Sequence, residues 1–315
     1  MRQKFSNHIN TKLPFLKGKK LLIAISGGID SVVLTHLLST LDFTISLAHC
    51  NFKLRKKESD LDEAFVLSLG KQLNLKTFTS QFETEKFAKE NKQSTQIAAR
   101  NLRYSWFEEI IKKHQFDFVL TAHHANDNLE TFLINLTRGT GLEGLTGIPE
   151  KNVNIVRPLL VFSRDEIIAF AKENNIDWRE DQSNSSTKYI RNKIRHQVVP
   201  VLKEINPNLL DSFGKTSSHL QESQQIIDDK IDSVSKDIVI KDFSTSLEMT
   251  KINIKKINQL SNPKAYLYQL LKAYHFTEWN DVYNLLSAQS GKQGEGRRHP
   301  RQAARDPVQW RYFHH

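Results

Sequence analysis

The stretch Leu21-Leu22-Ile23-Ala24-Ile25-Ser26-Gly27-Gly28-Ile29-Asp30-Ser31 decides the fold. Its five leading apolar residues read as a strand buried on both faces, and Val32, Val33, Leu37 and Leu38 then follow at helical spacing. Two glycines between strand and helix let the backbone take unusual dihedrals and approach a ligand closely. The unpaired N–H groups of the first helical turn, with the helix dipole behind them, make such a turn an anion site. Ser26 and Ser31 add hydroxyl donors. Asp30 would repel an anion unless a cation lay between them, and a magnesium ion resolves that conflict. The segment has neither the GxxxxGK[ST] nor the GxGxxG pattern, so it is not one of the commoner nucleotide loops.

Outward from this turn, short apolar runs alternate with helical periodicity from residue 20 to about 160, the pattern of a parallel α/β sheet. Phe43 to His49 and Phe116 to Ala122 read as further strands. Ser59 with Asp62 predicts a capping box ahead of an apolar stripe at Leu61, Phe65, Leu69 and Leu73; Ser163 with Glu166 predicts another before Ile167, Ile168, Phe170 and Ala171. After Pro207 the strand signals fade. Residues 209–290 read as mostly helical, with aromatic residues at Tyr266, Tyr268, Tyr274, Phe276, Trp279 and Tyr283. The expected organisation is an α/β domain over 1–208, a helical domain over 209–290 and an atypical tail over 291–315.

The tail differs in composition from everything before it, being rich in Arg and poor in Ile, Leu and Asn, and it reads as a frameshifted or artificial end rather than a basic arm. It carries six of the 45 basic and two of the 35 acidic residues, so the overall +10 falls to +6 for residues 1–290. Bulk charge is thus compatible with a polyanionic partner without requiring one. A single cysteine, Cys50, excludes disulfide frameworks, Cys-rich zinc modules and CxxC redox or iron–sulfur sites supplied by this chain. No apolar run approaches the ~18 residues of a membrane span and no secretory signal is present, so a cytoplasmic protein with no membrane partner is expected.

Three further groups carry chemistry. On a helix, Arg100, Arg103, Tyr104 and Phe107 share a face that holds phosphate and stacks on a base, or is simply solvated. His123, Asp127 and Glu130 share a face at the end of the third strand, where ligands of open parallel sheets bind. There Asp127 is a candidate second magnesium ligand, Glu130 a candidate general base, and His123 or His124 a contact to phosphates; the alternative is a polar helix start capped by Asn126 or Asp127. Arg191 and Arg195, four apart, either neutralise a transferring phosphoryl group or are surface charges.

The SGGxDS loop after a strand resembles that of the ATP pyrophosphatase, or PP-loop, family. The resemblance implies an adenine nucleotide alpha hydrolase-like, Rossmann-like domain that cleaves ATP between its α and β phosphates. Members that thiolate tRNA through paired cysteines, or through a cluster held by three, cannot be built from Cys50 alone. Four more segments resemble the tRNA(Ile)-lysidine synthetases: His49-Cys50-Asn51-Phe52-Lys53-Leu54-Arg55 with Glu58, Ser59, Asp62 and Glu63; Ala99-Arg100-Asn101-Leu102-Arg103-Tyr104; His123-His124-Ala125-Asn126-Asp127-Asn128-Leu129-Glu130-Thr131 running to Arg138-Gly139-Thr140-Gly141-Leu142; and Asp181, Ser183-Asn184, Arg191-Asn192-Lys193-Ile194-Arg195 and Pro200. Phe52 departs from the pattern, standing where many members carry a second histidine, and the chain ends where longer members continue into a further domain.

That resemblance implies ATP, magnesium, free L-lysine and a tRNA(Ile) with a CAU anticodon, and leaves a homodimer open. It implies ATP contacts at Ser26, Gly27, Gly28, Ile29, Asp30, Ser31, His123 and Arg138, and magnesium at Asp30 and Asp127. Asp30, Asp127, Glu130, Arg100, Arg103 and Arg195 become the expected catalytic residues, and Tyr104, Arg191 and Asn192 the expected RNA contacts. Glu130 or an acid within 58–63 is expected to hold the lysine ammonium. Adenylation of another acceptor, or an inactive ATP- and RNA-binding protein, are the alternatives.

Overall fold

The computed structural model describes residues 1–180, 190–242, 249–274 and 276–287. The expected Asp181, Ser183 and Asn184 motif and the 291–315 tail lie outside the described residues. The chain divides into two compact units, Met1–Leu220 and Gln221–His315.

The first unit is a six-stranded, mostly parallel sheet covered by helices. Helix α1 (Arg2–Lys12) precedes β1 (Lys20–Ala24), α2 (Ile29–Ser39), β2 (Thr44–Asn51), α3 (Lys57–Gln72), β3 (Lys76–Gln81), α4 (Thr84–Glu90), α5 (Thr95–His114) and β4 (Phe118–Leu120). Then come α6 (Ala125–Thr137), α7 (Leu142–Leu145), β5 (Lys151–Asn152), β6 (Ile155–Val156), α8 (Arg164–Glu173), α9 (Ile190–Lys193) and α10 (Val199–Ile205). A π-helical turn, Ile194–Val198, joins the last two.

Strand order is β3-β2-β1-β4-β6-β5; only β5 is antiparallel to its neighbour. The three expected strands are present. Three were missed: β3, and the short β5 and β6.

Alternation along the strands feeds two cores. Leu21, Ile23 and Leu47 pack with α1, α2 and α8 through Phe5, Ile9, Leu34, Leu37, Phe162 and Phe170. Leu22 and Ala48 face the other way, onto Phe107 and Ile110 of α5. The chain leaves β1 toward β2 on one side and returns on its other side at β4, so the C-terminal ends of β1 and β4 flank a topological switch point. In open α/β sheets that is where ligands bind.

The Ser163–Glu166 capping box forms as expected: Glu166 N donates to Ser163 Oγ at 3.1 Å and Ser163 N to Glu166 Oε2 at 2.7 Å. The Ser59–Asp62 box does not. Helix α3 starts at Lys57, Ser59 Oγ accepts instead from Arg55 N, and Asp62 is drawn into ion pairs with two arginines. The expected stripe shifts accordingly, with Leu61 48% exposed and Val66 fully buried.

The second unit includes the C-terminal part of α11 (Leu209–Ile238). It also has a hairpin of β7 (Val239–Asp242) and β8 (Met249–Ile252), which the sequence did not predict, followed by α12 (Ile254–Asn258), α13 (Pro263–Leu271) and α14 (Trp279–Asn284). Val234, Ile238, Ile257, Leu267, Leu271 and Val282 form its own core. The expected boundary at 208 falls at the start of α11, whose first residues belong to the first unit: Phe213 packs 5.3 Å from the Phe132 ring. Among the described residues no helix is long and apolar enough to cross a membrane.

Candidate active site

The glycine turn sits at the switch point. Gly27 has φ +90°, a left-handed backbone that an L side chain rarely adopts, and Gly28 is the N-cap of α2. The serines brace the turn from within. Ser31 Oγ donates to Gly28 O at 2.9 Å and accepts from Ser26 N at 3.2 Å, while Ser26 Oγ accepts from Gly28 N at 3.3 Å.

Asp30, in the first turn of α2, is largely enclosed. Its Oδ1 is buried without a hydrogen-bond partner; the nearest basic nitrogens are His124 Nε2 at 3.7 Å from Oδ1 and Arg164 Nη1 at 3.8 Å from Oδ2. Burial pushes the Asp30 carboxyl above the usual carboxylate range, against the opposing pull of His124 and Arg164.

Across the turn, α6 begins with a reciprocal cap. Asp127 N donates to His124 Nδ1 and His124 N to Asp127 Oδ2 at 3.1 Å, which leaves the His124 proton on Nε2, facing Asp30 and Asp127. The helix start is therefore capped by His124 with Asp127 as its reciprocal partner, as the capping alternative had it for Asp127 but not for Asn126. His123 precedes the helix and does not share a face with Asp127 and Glu130; it is oriented by Thr121 Oγ1, 2.9 Å from Nδ1. Burial pulls His123 down to about 4, so it is neutral at physiological pH. Burial acts to raise the Asp127 carboxyl, but His124, through its ring and its backbone N–H, and Arg191 help to hold it below its ordinary value.

Glu130, 2% exposed in its side chain, accepts from Arg195 Nε at 2.7 Å and Nη2 at 2.9 Å; the same Nη2 lies 3.4 Å from Asp127. Arg191 donates to Thr131 Oγ1 at 2.7 Å. Both arginines come from the α9 and π-turn segment, which packs on α6 through Ile194 and Val199 against Leu129.

These groups surround a cleft of about 470 Å³. It is lined by Ser26, Asp30, Ser31, His123, His124, Asp127, Arg191 and Arg195, and on its far wall by Cys50, Phe52, Arg103, Tyr104 and Phe107. Arg103 lies over the Phe52 ring at 5.2 Å, and Phe52 stacks on Phe82 at 5.7 Å. A wider chamber of about 980 Å³ adjoins it through Ser26, Asp30 and Arg164, and is bordered by Arg55, Asp62, Lys172, Trp178, Arg179 and His196.

Most of the expected site residues thus meet in one place. Arg100 is the exception on α5: it is exposed and rests 4.8 Å above the Tyr104 ring without lining the cleft. Arg138 caps the far end of α6, about three turns from Asp127, also exposed and outside the cleft lining. Asn192 is half-buried on α9. Two residues escaped the sequence reading: Arg164, for which the capping box at Ser163 was the local signal, and Arg179, for which there was none.

Comparison with known proteins decides the family. A PP-loop domain model matches residues 1–202, and a TilS substrate-binding domain model matches 246–300. A protein from Chlorobaculum tepidum named tRNA(Ile)-lysidine synthase is 35% identical over 92% of this chain and 90% of its own length. The chain belongs to the tRNA(Ile)-lysidine synthase family. A Bacteroides thetaiotaomicron relative of the same name is 38% identical over 93% of this chain and 67% of its own length, and one from Porphyromonas gingivalis W83 is 39% identical over 88% and 60%. The chain therefore spans about two thirds of these longer relatives. Among solved structures, the U34-tRNA thiolase of Methanococcus maripaludis, solved with its [4Fe-4S] cluster, aligns with a TM-score of 0.57 at 16% identity, covering 70% of this chain and 79% of that one. That likeness shows a shared fold. ATP is the nucleotide that the family implies.

Proposed function

We propose that this protein converts the wobble cytidine of tRNA(Ile) with a CAU anticodon to lysidine, as a ligase forming a C–N bond. The O2 oxygen of the cytidine attacks the α-phosphorus of ATP; the O–P bond to it forms as the α–β bridge breaks and pyrophosphate leaves. The amine of free lysine then attacks C2, the C2–O bond breaks, and AMP departs with the oxygen. The observation that carries the reading is the convergence, on one cleft, of the 26–31 loop with Arg103, Arg191, Arg195 and an aromatic wall. A polyphosphate needs the first group, and a splayed-out base needs the last.

The donor set suits a magnesium ion. Asp30 offers an unpartnered, buried carboxylate oxygen and Asp127 a second carboxylate across His124, and magnesium is commonly held by one or two carboxylates plus phosphate oxygens. Bound there, it would neutralise phosphate charge. The remaining loop N–H groups and the Ser26 hydroxyl orient the leaving pyrophosphate while Ser31 braces the loop, and neutral His123 donates or accepts beside it. Arg195 stabilises charge developing on the transferring phosphoryl group.

Glu130 was expected as a general base. With both oxygens engaged by Arg195, it acts in this proposal by fixing that guanidinium. For the lysine ammonium the 58–63 acids remain besides Glu130; Asp62 is held by Arg55 and Arg179, whereas Glu58 is 62% exposed in its side chain and accepts from Arg179 through Oε2. Such a protein works in the cytoplasm, where tRNA is modified; light scattering tests whether it is a homodimer.

The test combines purified protein, ATP, radiolabelled lysine and a CAU-anticodon transcript. Lysine in the RNA and one AMP per lysine are expected, with no incorporation by Asp30→Asn. ATP binding without lysine incorporation would sink the ligase reading in favour of another acceptor or an inactive binder.

A further inference from the structure

A loop that cradles an oxyanion has to keep its carbonyl oxygens off that anion while its N–H groups face it. At the entry to the 26–31 loop and within it, three carbonyls are each taken up by a donor. Ile25 O accepts from Nδ1 of the buried His49 at 2.9 Å, Gly28 O from Ser31 Oγ at 2.9 Å and Val32 N at 3.1 Å, and Gly27 O from Arg179 N at 3.0 Å. The first two contacts come from a neighbouring strand and from the loop's own helix. The third comes from a residue outside any helix or strand, 152 positions along the chain, and it holds the peptide of Gly27, the glycine of this loop that is in the left-handed region.

Arg179 N is held where it is by its own side chain. Nε donates to Asp62 Oδ1 at 2.5 Å and Nη2 to Glu58 Oε2 at 2.6 Å, both on α3. Asp62 is buried and is also paired with Arg55, and its backbone borders Gly27 from below. The guanidinium, two carboxylates of α3 and the Gly27 carbonyl thus form one continuous strut.

We propose that Arg179 is a positioning residue for the phosphates of the nucleotide: anchored to Asp62 and Glu58, it holds the Gly27 carbonyl away from the anion and presets the loop. The proposal rests on the nucleotide reading of the cleft. It places Arg179 out of contact with the reacting atoms, so its removal weakens binding of the polyphosphate and spares binding of the nucleoside.

The experiment measures, by calorimetry, the affinity of the full chain for adenosine and for α,β-methylene-ATP, with thermal melts alongside. Arg179→Ala is expected to lose about tenfold in affinity for α,β-methylene-ATP and to keep its adenosine affinity. Arg179→Lys, whose single ammonium reaches one carboxylate, should recover part of the loss, and it replaces the alanine variant if that does not fold. Unchanged analogue binding in either folded variant overturns the proposal, as does an equal loss of both ligands with a lowered melting temperature, the result of a purely structural clamp. Wild-type protein that binds neither ligand overturns the nucleotide reading itself, and the proposal with it.

Discussion

Glu130 and Arg195 form a two-pronged pair, at 2.7 and 2.9 Å, in which the carboxylate is almost wholly buried and the guanidinium reaches on toward Asp127. Removing one partner of such a pair strands a buried charge and typically costs about 3–5 kcal/mol. Arg195→Ala, which strands the 2% exposed Glu130 carboxylate, is therefore expected to lower unfolding stability by about that amount in urea titrations. Arg195→Lys keeps the charge but loses the fork, and its lysine incorporation should fall by about a hundredfold, the usual scale for one misplaced electrostatic donor. Activity surviving Arg195→Lys intact would remove the arginine from the chemistry.

What the sequence revealed about this site was what local residues decide. The strand, glycine turn and helix of 21–38 are written in consecutive residues, and so is the capping box at Ser163. Strand β3, with Phe78 as the one apolar side chain of Lys76–Gln81, has no such signature; it exists because β2 offers it a ladder from Ser46 to Asn51. Asp62 shows the opposite failure. Its spacing from Ser59 satisfies a capping box, yet Arg55 and Arg179 claim the carboxylate, and Arg179 is 117 residues away. His124 took the cap of α6 although histidine is not a usual capping residue, because its ring is also wanted between Asp30 and Asp127.

Cys50 lines the cleft, yet burial pushes its thiol up to about 12, only slightly opposed by Arg103. The reactive form of a thiol is the thiolate, so iodoacetamide at pH 8 should label Cys50 at least about a hundredfold more slowly than an unperturbed cysteine. Cys50→Ala should retain lysine incorporation. Rapid labelling in a mass-spectrometric time course would contradict the buried environment described here.

Gly27 has room for a methyl group: a Cβ would meet Phe65 and Val66 at 3.5 and 3.7 Å, ordinary contact distances. Its backbone is the obstacle, since φ +90° costs an L residue about 1–2 kcal/mol. Gly27→Ala should lower stability by that amount, or relax by turning the Gly27 peptide away from Arg179. The second route predicts a loss of ATP affinity larger than the loss of stability, measured by parallel melts and nucleotide titrations.

His123 gives the pH dependence. Its folded-state value of about 4 lies below the 6.5 of an ordinary histidine, principally through burial. Between those values the unfolded chain holds a proton at this position that the folded chain does not, so stability is lost as pH falls through 6.5 toward 4. One proton contributes a slope of at most about 1.4 kcal/mol per pH unit. Asp127 acts in the same direction but from below 3.8, its ordinary value, so the two windows separate. His123→Gln keeps an acceptor or donor beside Thr121 without a titrating ring, and its urea midpoint should change less than that of the wild type between pH 6.5 and 4.5. Parallel midpoint curves for the two proteins would show that His123 takes up its proton as readily in the folded as in the unfolded chain, and so that burial does not hold it neutral below pH 6.5.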